Sequence, residues 1–166
     1  MPAPTFIDLF SGCGGLSLGL LKAGWKGLFA VERSSDAFLT YKHNLIDSER
    51  FEYQWPEWFP KENHDIETLI SNYSDQLRTI QGSVDLIVGG PPCQGFSIAG
   101  KRNPKDPRNR MAEHYIDIVR ILKPRFLLME NVKGFDTPFK TKTKSKKKKT
   151  EAHGCLSRGS PRGGMG

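Results

Sequence analysis

No apolar run in the 166 residues is long enough to cross a bilayer, so the chain offers no candidate for a membrane-spanning helix. No secretory leader is read at the amino end either, where "MPAPTFIDLF" runs straight into a predicted strand. Cysteine is scarce. Cys13, Cys93 and Cys155 make neither an even disulfide set nor a metal-type pair, which argues against a stapled scaffold and against a metal site. A reducing cytoplasm is the compartment that fits such usage, with association to the nucleoid if the source is bacterial. Internal repeats are absent, and the length suits one domain with a sizeable core.

Acidic residues are missing from one part of the chain only. The formal net charge is +7, from 25 Lys and Arg against 18 Asp and Glu. Nine of those basic residues and a single acid fall at or beyond Lys140, so residues 1–139 carry 16 basic and 17 acidic groups, a balance of −1. The basic character belongs to the tail. "KTKTKSKKKKTEAHGCLSRGSPRGGMG" is poor in large apolar side chains and cannot bury enough surface to offset its ordering entropy. Residues 1–139 are therefore read as the folded unit and 140–166 as a disordered segment. That segment suits a nucleic-acid-binding arm or out-of-frame translation.

The folded part alternates strand and helix signals. "TFIDLF" (Thr5 to Phe10) and "LFAVE" (Leu28 to Glu32) read as strands flanking a glycine-rich turn and a helix from about Leu16 to Ala23. A second helix capped by Ser34 or Ser35 turns Ala37, Tyr41 and Leu45 inward. "FEYQWPEWFPKEN" is aromatic and broken by proline, a loop covering one sheet edge. "HDI" (His64 to Ile66) is a candidate short third strand, followed by a helix from about Glu67 to Thr79. "VDLIV" (Val84 to Val88) is a strand, and a helix with Met111, Tyr115, Ile118 and Leu122 on one face ends at Pro124. "RFLLMENV" supplies a fifth strand ending at Glu130. This alternation predicts an α/β fold, a doubly wound parallel sheet.

Two constellations carry chemistry. "DLFSGCGGLSLG" puts glycines between strand and helix, where backbone approaches a ligand and helix N–H groups point outward. Glu32 follows Gly12 by 20 residues, at the end of the next strand, where a ribose diol is gripped in nucleotide-binding folds. The pattern fits a nucleotide-like cofactor, NAD included, although Ser17 stands at the third glycine position. A tight turn with a surface glutamate is the plainer reading. The second constellation pairs "GGPPCQGFS" with "MENV", each at the carboxyl end of a predicted strand. Cys93, on a backbone stiffened by Pro91 and Pro92, is placed as a nucleophile, and Glu130 as a proton donor or acceptor beside it. Taken singly, Cys93 could be a packing thiol and Glu130 a helix cap. Together at one sheet edge they favour catalysis.

With these segments in order, "FIDLFSGCGGLSLGL", "VERSSDAFLTYKHN", "HDI", "GGPPCQGFSIAGKRNPKDPRNRM" and "KPRFLLMENVKGF", the chain resembles the amino-terminal half of the DNA (cytosine-5) methyltransferases. The resemblance implies a Rossmann-like, S-adenosylmethionine-dependent fold, incomplete at its carboxyl-terminal edge. It also implies methyl transfer to C5 of cytosine in double-stranded DNA, of the restriction-modification type found in bacteria and phages. Cys93 would attack C6 of a flipped-out cytosine, and Glu130 would hold N3. Phe10 would stack on the adenine, the backbone of Ser11, Gly12, Cys13, Gly14, Gly15 and Leu16 would hold the methionine end, and Glu32 would take the ribose hydroxyls. Asp65 would accept from the adenine amino group with Ile66 beside it. Pro92 and Met111, the latter standing where leucine is usual, would line the methyl-donor side. Gln94, Ser97 and Arg108 would contact DNA or steady the cysteine loop; an exposed loop charge is the plainer reading of Arg108.

The resemblance stops after "ENVKGF". The family's glutamine-arginine motif, its DNA-reading region and its pocket-closing helix and strand have no counterpart in "DTPFKTKTKSKKKK". A split enzyme with a complementing carboxyl-terminal chain, a frameshifted gene and an incomplete gene reading each account for this, and in each the isolated chain is expected to be inactive. A non-catalytic remnant that binds cofactor or nucleic acid, and a tRNA cytosine-5 methyltransferase, are the alternative functions.

Overall fold

The computed structural model describes residues 2–92 and 109–130. Its four strands are β1 (Thr5–Leu9), β2 (Lys26–Val31), β3 (Leu86–Gly89) and β4 (Phe126–Met129). The helices are α1 (Gly15–Lys22), α2 (Ser35–Tyr41), α3 (Ile66–Thr79) and α4 (Asn109–Leu122), and α2 runs on through a π-helical turn, Lys42–Ile46. All strand pairs are parallel, in the order β2-β1-β3-β4. The fold is thus the doubly wound α/β sheet that the alternation predicts.

Side-chain alternation along β1 decides where the helices go. Ile7 and Leu9 join Phe29, Val31 and Ile87 in one buried cluster with Leu69 and Leu77 of α3 and Tyr115, Ile118 and Leu122 of α4. Phe6 points the other way, into a cluster with Ala30, Leu86 and Val88, closed by Leu21 of α1, Tyr41 of α2 and Leu45 of the π turn. Each such side chain, fully buried, contributes about 1.5–3 kcal/mol. A parallel sheet covered on both faces needs this two-layer arrangement.

Several boundaries differ from the sequence reading. "HDI" is not a strand. His64 makes one backbone bond to the end of β2, His64 N to Glu32 O at 2.9 Å, and Asp65 then turns away as the N-cap of α3, its Oδ1 accepting from Glu67 N. The sheet accordingly has four described strands where five were expected. β3 starts at Leu86 instead of Val84, because Asp85 spends its carboxylate on the N–H of Thr5 (2.9 Å) and the Arg125 guanidinium (3.1 Å). The aromatic loop does cover an edge: Tyr53 forms a lone parallel bridge with Gly27 of β2, and Gln54 N donates to Gly27 O.

Among the described residues the opposite edge is uncovered. Phe126, Leu127 and Leu128 of β4 are 58%, 48% and 50% exposed. Three consecutive strand residues face alternate sides, so both faces of β4 lack a covering layer among the described residues. The residues beyond Glu130, including the lysine-rich segment read as disordered, lie outside the described part.

β1 and β3 approach so closely that a Cβ at Gly89 would run into the carbonyl oxygen of Leu9. Gly89→Ala is expected to destabilise the fold by about 3 kcal/mol, as overpacking against backbone does. Gly19, in α1 with nothing within 4 Å of its added Cβ, should do the reverse, Gly19→Ala adding about 0.5–1 kcal/mol. Urea unfolding of both variants checks the pair; the same sign for both would contradict this packing.

Candidate functional site

The site grows from the way the chain leaves β1. Phe10 takes a left-handed conformation, φ 60°, uncommon for a residue with a bulky side chain. Gly12 (φ 55°) and Gly14 (φ 94°) continue the turn. Its shape is held by Ser11 N donating to Val31 O (3.0 Å) and Gly14 N to Ser11 O (2.9 Å). α1 starts at Gly15 with Gly14 as N-cap and no side-chain cap, which leaves first-turn N–H groups directed at the space above the sheet. An added Cβ at Gly14 would lie 2.8 Å from Tyr41 Cδ2.

Glu32, directly after β2, is fastened on both oxygens. Oε2 accepts from Gly12 N (2.9 Å) and Oε1 from Ser34 N (2.7 Å). A carboxylate oxygen has a second acceptor position, so this geometry orients Glu32 without exhausting it. The turn and the acid are therefore one unit joined across two strand ends.

A cavity of about 400 Å³ opens beside it, lined by Phe10, Val31, Arg33, His64, Asp65, Ile66, Glu67, Pro92, Arg110 and Met111. Phe10, Asp65, Ile66, Pro92 and Met111, singled out in the sequence from three separate segments, meet on its wall. Glu32 is not on that wall, though its neighbours Val31 and Arg33 are. Such a volume suits a nucleoside-sized ligand. The apolar wall would accept a flat base and the Asp65 carboxylate a hydrogen-bond donor.

Glu130 follows β4, anchored by its own N–H to Gly89 O at 2.9 Å. Its carboxylate lies over the next glycine: an added Cβ at Gly90 would be 3.7 Å from Glu130 Oε2. Glu130 thus stands beside the start of the segment that carries Pro91 and Pro92. Cys93, Gln94, Ser97 and Arg108 lie outside the described residues. Cys13 is a free, exposed thiol. Among the described residues no cluster of His, Cys, Asp or Glu could hold a metal ion, and no helix is long and apolar enough to cross a membrane.

Sequence reasoning overlooked Arg33, His64, Glu67 and Arg110 on the wall. Adjacency was the available signal, since Arg33 follows Glu32, and His64 and Glu67 bracket the Asp65–Ile66 pair. It also overlooked a buried relay under the turn. Ser17 Oγ donates to Asp8 Oδ2 at 2.6 Å, and the Tyr41 hydroxyl lies 2.8 Å from Ser17 and 2.6 Å from the Tyr53 hydroxyl. Because Ser17 has one proton and gives it to Asp8, the order runs Tyr53 to Tyr41 to Ser17 to Asp8. Ser17 therefore occupies the third glycine position for its hydroxyl.

Burial pushes the Asp8 carboxyl up from 3.8 to about 7, with the Ser17 bond pulling the other way and Glu32 adding a little repulsion. Asp8 Oδ1 and Ser11 Oγ are buried without partners among the described residues. A carboxyl whose folded pKa is raised keeps its proton in the native state while the unfolded chain has lost it. Its favourable contribution is full below about pH 4 and gone above about pH 7. Asp8→Asn should therefore flatten the fall in stability between pH 4 and 7 and leave the variant relatively more stable at pH 8. Urea midpoints across that range check this; an unchanged slope would remove Asp8 as its source.

Comparison with known proteins places this geometry. The family described as C-5 cytosine-specific DNA methylase matches residues 4–153. The Type II methyltransferase M.XorII of Xanthomonas oryzae pv. oryzae is 38% identical over 138 residues, 81% of this chain and 29% of the relative. M.DdeI of Desulfomicrobium norvegicum is 38% identical over 142 residues, 86% of this chain and 30% of the relative. A solved E. coli structure, described as a DNA modification methyltransferase encoded within a prophage, is similar at TM-score 0.59 and 36% identity, over 81% of this chain and 34% of that one. The chain spans about a third of the length of these relatives.

Proposed function

The chain belongs to the C-5 cytosine-specific DNA methylase family, and from that premise we propose that it forms the cofactor- and nucleophile-bearing part of an enzyme that methylates C5 of cytosine in double-stranded DNA. One observation carries the reading. Five residues expected at an S-adenosylmethionine site line one cavity, and Glu130 stands over Gly90, two residues before the cavity-lining Pro92. The relatives' description as Type II methyltransferases supports a role in restriction-modification.

The residues present fit S-adenosylmethionine, which when bound supplies an electrophilic methyl group. Phe10, Val31 and Ile66 would pack the adenine, Asp65 Oδ2 would accept from its amino group, and Glu32 would take the ribose hydroxyls with its remaining lone pairs. The glycine turn and the start of α1 hold the methionine end. Pro92 and Met111 exclude water on the side toward Glu130.

Cys93, following Pro92 in the chain, acts as a thiolate on C6 of a cytosine drawn out of its duplex. The new C–S bond moves the C5–C6 π pair onto C5, with charge spread toward N3, where the Glu130 carboxyl stabilises it by donating its proton. The bound cofactor would supply the methyl group to C5, after which loss of the C5 proton to base would return the pair to C5–C6 and expel the Cys93 thiolate. The faces of β4 left open among the described residues support a further covering segment, and DNA reading would fall to a complementing chain or to a continuation of this one.

In the test, the chain is combined with the carboxyl-terminal part of a relative as a separate polypeptide, S-adenosylmethionine and duplex DNA containing 5-fluorocytosine. Fluorine cannot leave as a proton does, so a covalent adduct should accumulate at Cys93 and be absent from Cys93→Ala. Mapping of the adduct to Cys13 or Cys155, or normal methylation by the alanine variant, would refute the assignment. By calorimetry, Glu32→Ala should weaken S-adenosylmethionine binding by about 1–3 kcal/mol, the cost of buried polar groups left unpaired; equal affinity would remove Glu32 from the site.

A further inference from the structure

Beneath the glycine turn lies the buried relay of Tyr53, Tyr41, Ser17 and Asp8, none of which lines the cavity. Asp8, Ser17 and Tyr41 are fully buried, in a place where apolar side chains would pack without a polar desolvation cost. A satisfied network of this kind specifies one geometry more than it adds stability. Its contacts show which geometry. Ser17 lies in the first turn of α1, and its hydroxyl ties that turn to Asp8 of β1 at 2.6 Å. Gly14, the N-cap of the same helix, offers no side-chain cap and rests on α2 and the π turn. An added Cβ there would lie 2.8 Å from Tyr41 Cδ2 and 2.5 Å from Leu45 Cδ1. Tyr41 thus meets the start of α1 twice, with its ring at Gly14 and its hydroxyl at Ser17, 2.8 Å away.

We propose that Ser17 and Tyr41 are positioning residues that aim the first-turn N–H groups of α1 at the methionine end of the cofactor. This rests on the cofactor reading above and adds residues that touch no ligand. The N–H groups concerned lie between Gly14 and Ser17, the two points at which the start of the helix is held. Asp8 is a fixed base for that hold, because β1 is paired on both sides. The adenine end is placed differently. Phe10 follows β1, while Asp65 and Ile66 open α3. Among the described residues no hydrogen bond joins these three to the relay. Breaking the relay therefore loosens one end of the site and spares the other.

The test is calorimetric titration of the full chain with S-adenosylhomocysteine and, in parallel, with adenosine, which lacks the amino-acid end. At pH 6 the Asp8 carboxyl, pushed up by burial to about 7, keeps its proton. Ser17→Ala should weaken S-adenosylhomocysteine by about threefold or more, as loss of a net hydrogen bond does. Tyr41→Phe, which keeps the ring under Gly14, should do the same, so the split survives if the alanine variant fails to fold. Both should hold adenosine at the affinity of the wild type. Asp8→Asn, whose amide oxygen still accepts from Ser17, should bind both ligands as the wild type does. Equal weakening of the two ligands would mark a merely structural network and overturn the proposal. So would undiminished S-adenosylhomocysteine binding by the Ser17 and Tyr41 variants, or a loss in Asp8→Asn as large as in Ser17→Ala. If the wild type binds neither ligand, the cofactor reading falls and this proposal with it. If it binds both and the variants show no split, only the role of the relay is lost.

Discussion

The site depends on how the backbone leaves β1. β1 is held from both sides by β2 and β3, so its last residue cannot drift. At Phe10 the chain then enters a left-handed turn, a conformation of the sort that costs about 1–3 kcal/mol unless its surroundings impose it. Ser11 N on Val31 O and Gly12 N on Glu32 Oε2 do the imposing. A relaxed Phe10 would carry the strand on by one residue and move its ring off the cavity wall. The glycines that follow are permissive, whereas Phe10 is constrained, and the constraint is what places an aromatic ring on the cavity wall that Asp65 also lines.

Much of this was legible in the sequence because periodicity and punctuation agreed. Apolar alternation in "TFIDLF", glycines after it and an acid closing the next strand specify a strand, a turn and a strand end without tertiary knowledge. Leu122 and Pro124 marked the end of α4 for the same reason. "HDI" misled because one residue decides it: an aspartate before a helix caps that helix more readily than it continues a strand. The side chains of Arg33 and Arg110 were illegible as site residues, since an exposed arginine gains its meaning from a wall that only the fold assembles. Asp8 and Ser17 lay hidden in an apolar run and in a failed glycine pattern. Their link depends on Tyr41 and Tyr53 arriving from elsewhere.

Stability and function pull apart in two places. Asp8, with one oxygen unpartnered beneath the glycine turn, is a buried carboxyl that weakens the fold once ionised. The relay through Ser17 and Tyr41 nonetheless ties α1 and α2 to the strand from which the site hangs. β4 is the other place. Phe126, Leu127 and Leu128 lie open on both faces among the described residues, while Glu130, directly after the strand, sits over Gly90. Whatever covers β4 therefore steadies the same strand that presents Glu130, coupling completion of the sheet to the acid over Gly90.

The central claim is that the ends of β1 and β2 and the start of α3 make one cofactor cavity. Hydrogen exchange of the chain with and without S-adenosylmethionine tests it most directly, because amide protection reports contact and ordering residue by residue. The account predicts slowed exchange confined to the turn from Phe10 to Leu16, to Glu32–Ser34 and to His64–Glu67, with the distant Ile80–Ser83 turn unchanged. Protection spread evenly over the fold, or centred on the far end of the sheet, would contradict it.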